Sequence, residues 1–169
     1  MARRDKDFLG LEVISLEDAS VIGEVDGLIV DETIASVVGL IIDLGIHEAK
    51  VAAYSDLLSV GDDAVMVESS AVVRHLSEHA VLLEVVEREV DVCDAYAITD
   101  KGDVVGAIGD YFVDPATGAI KGVEVIVEEE DDQVAVFVAP ASDIVRIGTE
   151  LVMIRAGFQS RAAASGDAL

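Results

Sequence analysis

One stretch of the chain, Val21 to Leu44 (VIGEVDGLIVDETIASVVGLIIDL), returns 83 residues later as Val104 to Val127 (VVGAIGDYFVDPATGAIKGVEVIV). At that offset Val21, Gly23, Val30, Asp31 and Gly39 fall on Val104, Gly106, Val113, Asp114 and Gly122. The apolar positions Val25, Val37, Leu40, Ile42 and Leu44 fall on Ile108, Ile120, Val123, Val125 and Val127. Both copies read as a strand, a turn marked by an aspartate, and a returning strand. A second echo, at an offset of 87, pairs SDLLSVGDDAVMV (Ser55 to Val67) with SDIVRIGTELVMI (Ser142 to Ile154). The change of offset places four extra residues in the second copy, at its acidic run.

The local chemistry of each copy agrees with this reading. Phe8 to Leu16 alternates loosely enough for a first strand, and Lys101-Gly102 supplies turn chemistry before the second long strand. Gly23 and Gly106 lie inside strand patterns, where glycine marks a bulge or a close backbone approach. In the second copy the hairpin turn reads DPATGA (Asp114 to Ala119), with Pro and Gly placed as a turn requires. On the returning strands one parity is apolar in both copies and should face the core. On the other parity Ile41 stands where the second copy has Glu124, leaving an apolar spot as a candidate partner contact.

These patterns predict an all-β fold of two tandem small antiparallel β-barrels with a short connecting helix. Residues 8–80 would form the first barrel and that helix, residues 81–158 the second barrel, and residues 159–169 a disordered tail. Each barrel is expected to close its own core, and a single merged core would contradict the scheme. The 52% apolar content, mostly aliphatic with 4% aromatic residues, favours strands. The connecting helix is expected over Ala71 to about His79, capped by Ser70, with Glu84 and Arg88 as an i, i+4 pair. The run after it, VLLEVVEREVDV, suits strand or helix equally.

Several function classes fall away at this level. With 34 acidic and 11 basic residues the formal charge is -23, which repels phosphate backbones and anionic headgroups. No direct nucleic-acid contact is expected. The absence of an apolar run near ~18 residues argues against a transmembrane segment, and the location should be cytoplasmic. Such a surface also suits a salt-rich cytoplasm, although acidity alone is an ordinary route to solubility. Cys93, the lone cysteine, excludes an internal disulfide and reads as a small buried or half-buried side chain. His75 and His79 have helical metal-ligand spacing, but Leu76 stands where a zinc-protease motif needs glutamate. No catalytic, cofactor or metal residues are therefore expected. The densest charge cluster, Glu128, Glu129, Glu130, Asp131 and Asp132, reads as a solvated hairpin tip or a docking site for a basic partner. The alternative is a small-ligand or cation-binding module using these acidic loops, although the spacing of an EF-hand loop is absent.

The glycine and valine framework of Gly10, Val13, Gly23 and Val25, followed by Val30-Asp31 and Gly39-Leu40, resembles the PRC-barrel family. It recurs as Tyr96, Gly106, Ile108, Val113-Asp114 and Gly122-Val123, with Cys93 in place of the first glycine. This is the small barrel of the photosynthetic reaction-centre H subunit and of the C-terminus of the ribosome maturation factor RimM. The resemblance implies a non-catalytic adaptor docking on a protein complex, with cell-division and ribosome-assembly settings among those the family occupies. Edge strands and the Ile41 face also suit a homodimer.

Overall fold

The structure is a computed structural model and describes residues 1–45 and 49–164. After a short strand β1 (Arg3–Arg4), six strands form a first sheet: β2 (Glu12–Ser15), β3 (Val21–Asp31), β4 (Ser36–Asp43), β5 (Ala49–Ala53), β6 (Leu57–Val60) and β7 (Ala64–Val67). Helix α1 (Ala80–Glu87) leads to the second set: β8 (Tyr96–Thr99), β9 (Val104–Val113), β10 (Ile120–Glu128), β11 (Val134–Pro140), β12 (Ile144–Ile147) and β13 (Leu151–Ile154). Helix α2 (Phe158–Ala164) follows. Strand order is β5-β4-β3-β2-β7-β6 in one sheet and β11-β10-β9-β8-β13-β12 in the other, so the same winding occurs twice. Among the described residues no helix is long and apolar enough to cross a membrane.

Both anticipated hairpins form, and their returning strands face as the parity requires. Leu40, Ile42, Val123 and Val125 are buried, while Leu44 and Val127 pack at the edge of the same core. Gly23 and Gly106 are close-approach glycines: a Cβ there would collide with the carbonyl oxygens of Asp43 and Ile126, respectively. Beside each glycine the register slips by one residue, at Ile22 in one sheet and at Val105 in the other. The slip bends the long strand where its backbone meets its neighbour, and only glycine fits that approach.

Several expectations are corrected. The pairing is not antiparallel throughout, because β2 runs parallel to β7 and β8 parallel to β13. The intervening strands provide the long crossover that a parallel pair requires. The helix lies over Ala80–Glu87, whereas Ser70–Val72 and Leu76–Glu78 form only single 3-10 turns. His79 is the helix N-cap, its Nδ1 accepting from the Leu82 N–H, so His75 and His79 do not share a helical face. Residues 159–164, expected to be disordered, belong to α2, which Phe158 anchors by packing its buried ring edge-on against Phe137. Residues 165–169 lie outside the described residues. The entry glycine Gly10, at φ +82, is matched by Asp94 at φ +68 and not by Cys93. The backbone bonds agree: Gly10 N–H donates to Val25 O, and Asp94 N–H to Ile108 O. Aspartate is among the few side chains that tolerate this left-handed conformation. The shift moves Ala97, not Tyr96, into the place of Val13, and both are fully buried.

The buried side chains do not separate into two cores. One continuous cluster includes Val13, Leu40 and Val65 from the first sheet and Ile108, Val125 and Ile154 from the second. It crosses a seam where the hairpin tips meet. Ser36 pairs with Ala119, Val37 N–H donates to Gly118 O at 2.8 Å, and Ile120 N–H donates to Ala35 O at 2.9 Å. The tips place Val30, Val37, Val113 and Ile120 at this junction, and burying them against one another merges the cores.

Candidate interaction face

The two sheets carry corresponding outer faces, and the chain covers them differently. On the first, Ile29, Val51 and Ala53 form a separate buried cluster with Leu82 and Val85 of α1, and Ile41 packs against it. Gly39 lets the helix approach, since a Cβ there would lie 3.0 Å from both Leu82 methyl carbons. The far end of the helix is tied down by Arg88, whose Nη2 donates to Asp31 Oδ1 at 2.9 Å and whose Nε lies 3.1 Å from Glu32 Oε1. Arg88 thus reaches the β3 tip, not the Glu84 partner expected from helical spacing. Ile41, a candidate partner contact, is half-buried and packs against the cluster that the chain's own helix closes.

On the second sheet Asp110, Phe112, Glu124 and Val138 take the places of Gly27, Ile29, Ile41 and Val51. Among the described residues no helix lies on this face, and α2 packs against β11 through Phe158 and Phe137. The segment carrying β1 crosses it instead, with Arg4 Nη1 at 2.6 Å from Glu124 Oε2 and 3.3 Å from Asp110 Oδ2. Its guanidinium also stands 5.0 Å over the Phe112 ring. The hydrogen bond to Glu124, ahead of that to Asp110, raises the Arg4 pKa above its ordinary value, so the cation is permanent. Lys6 Nζ lies 3.8 Å from Asp110 Oδ2, while Asp110 Oδ1 accepts from the Tyr111 N–H at 2.8 Å.

Asp5, Cys93 and Asp110 bring ligand-type atoms within 4.8 Å of one another, yet this is a poor metal centre. Arg4 and Lys6 already neutralise Asp110. Burial, followed by the charges of Asp91 and Asp94, pushes the Cys93 thiol pKa up, so the sulfur stays protonated and donates to Asp5 Oδ2 at 3.4 Å. A protonated thiol is a weak nucleophile.

Beyond Arg4 the outer face is open. On edge strand β11, Val134 and Val136 are 58% and 57% exposed, and Val136 stands across from Ile126 on β10. This strip runs into the β10–β11 turn, where Glu128, Glu129, Glu130, Asp131 and Asp132 are all exposed. Asp131 and Asp132 hold left-handed backbone at φ +68 and +57, and Glu129 N–H donates to Gln133 O to close the turn. The five acidic candidates are therefore gathered beside an apolar strip, while Ile41 belongs to the other sheet. Sequence reasoning did not find the strip because Val134, Val136 and Val138 alternate with Ala135, Phe137 and Ala139, so either parity could face inward. The Arg4 pairing had no local signal, since its partners lie more than 100 positions away. No protein-family model matches the chain, and no curated protein matches it.

Proposed function

We propose that the chain is a non-catalytic adaptor built of two PRC-type β-barrel repeats that share one core in place of the two separate cores expected, and that it docks on a protein complex through the outer face of its second sheet. The observation that carries this reading is an uncovered apolar strip on that face: Val134 and Val136 stand in water beside the exposed acidic turn. The occupant that best fits the strip is an amphipathic helix of a partner. Its apolar stripe would cover the two valines while basic residues along its rim meet Glu128 to Asp132. The repeated strand order and the close-approach glycines Gly23 and Gly106 support the barrel reading.

Affinity capture across a range of salt concentrations tests the proposal. A specific basic protein should be recovered by the wild type and by Leu16→Asp, an exposed apolar position on the other half, and lost with Val136→Asp. Truncating a central apolar contact costs about 1–3 kcal/mol, which is roughly five- to 150-fold in affinity. Recovery of background proteins alone in every condition, or equal recovery by Val136→Asp, would overturn it.

A further inference from the structure

The seam between the halves is built from equivalent residues that exchange places, and its two flanks should therefore match. They do not. On one flank Tyr54 crosses from the first half, is 8% exposed, and donates its hydroxyl to Pro115 O at 2.8 Å. Its ring rests against Gly118, where a Cβ would lie 3.1 Å from Tyr54 Cδ1. On the other flank the offsets of 87 and 83 put Ala141 in the place of Tyr54, Glu32 in the place of Pro115, and Ala35 in the place of Gly118. The ring is absent there, and a cleft of about 180 Å³ lies between Glu32, Ala35, Ile120, Ala141, Ile144 and Arg146.

The substitutions across the seam are complementary. Tyr54 faces a glycine that leaves room for its ring, whereas Ala35 retains a methyl at φ +48 facing the alanine that leaves the cleft. We propose that this cleft is a binding site for a phenolic ring, seated as Tyr54 is seated on the opposite flank. The ring lies against Ala35, Ile120 and Ile144, and its hydroxyl donates to the carbonyl of Glu32, the counterpart of the Pro115 carbonyl. Arg146 is exposed at the cleft and forms no ion pair among the described residues, so its guanidinium is available to lie over the ring. The volume accommodates one such ring. The same chemistry is offered by a free small phenol and by a tyrosine side chain of another protein. The site stands independently of the adaptor reading, since it uses the opposite flank of the seam and none of the β11 strip.

Nuclear magnetic resonance on the full chain, with p-cresol as the probe, tests the site. Saturable shifts are expected at Ala35, Ile120, Ala141 and Ile144, with toluene, which lacks the donor, about fivefold weaker. The double variant Ala35→Gly, Ala141→Tyr rebuilds the first flank on the second and should abolish these shifts. Ala141→Met, which fills the space with a flexible chain, serves the same purpose if the double variant does not fold. A blocked Gly-Tyr-Gly peptide binding at least as tightly as p-cresol assigns the site to a protein side chain, and binding of p-cresol alone assigns it to a small molecule. No saturable shift at these residues with either probe up to the solubility limit, or undiminished binding in the filled variants, would overturn the proposal.

Discussion

Ser36 pairs with Ala119, the residue that occupies its own place in the other half of the chain. The flanking hydrogen bonds, Val37 to Gly118 and Ile120 to Ala35, exchange in the same way, so a local pseudo-twofold axis passes through the pair. The two hairpin tips act on each other as the halves of a symmetric dimer would, but within one chain.

The turn glycine on this axis is not replaceable, although its counterpart already is an alanine. Gly118 combines φ +81 with a Cβ site 2.5 Å from Val37 O and 3.1 Å from Tyr54 Cδ1. Gly118→Ala is expected to cost about 3 kcal/mol, combining left-handed strain with overpacking. Ala35→Gly should change stability by no more than about 1 kcal/mol, because relief of strain offsets the added freedom of the unfolded chain. Chemical denaturation of both variants checks the contrast.

Tyr54 predicts an alkaline response. Burial first, and the charge of Asp114 second, push its phenol from 10 up to about 12. A raised acid pKa means that the native state favours the neutral phenol. Its contribution is therefore intact below pH 10 and is lost as pH climbs toward about 12. Tyr111, raised mainly by burial, acts in the same direction. Tyr54→Phe should lower stability at neutral pH by about 1 kcal/mol through loss of the bond to Pro115. It should also flatten the fall above pH 10, as read by denaturant titrations across that range.

Removing Arg4 exposes the cost of a buried carboxylate. Asp110 is 3% exposed, and Arg4 supplies its closest cation. Arg4→Ala should destabilise by about 2 kcal/mol, below the range for a fully buried pair because Arg4 itself is partly solvated. Asp110→Asn in the same background should recover much of the loss, measured as a double-mutant cycle in urea.

The covering of the first sheet makes a further prediction. Gly39→Ala would press a methyl to 3.0 Å from both Leu82 methyl carbons and the Ala52 carbonyl oxygen. A loss of about 1–3 kcal/mol is expected, with faster amide exchange in α1 as the helix lifts from Ile29 and Val51.

Much of this architecture was written locally, and the exceptions have physical causes. Gly23 and Gly106 announced their close approaches, and the parity of Leu40, Ile42, Val123 and Val125 announced the core, because strand period and glycine freedom act over a few residues. The helix was displaced because Val81, Val85 and Val86 fit either period, so docking on Ile29 and Val51 decides where it forms. Asp94 in place of Gly10 was hidden by a hairpin turn one residue shorter in the second half. The cleft beside Ala141 had no local signature, since it appears only when Glu32 and Ile120 are brought together by the seam.

The segment Arg3–Asp7 holds both halves at once: Arg3 and Arg4 pair with Val113 and Phe112, and Arg3 also reaches Gly61 O in the first sheet. In a chain made from one end to the other, these opening residues therefore stay undocked until β9 has emerged, and the first half must wait for its latch. Whatever is fused ahead of them weighs on a contact that ties the two halves together.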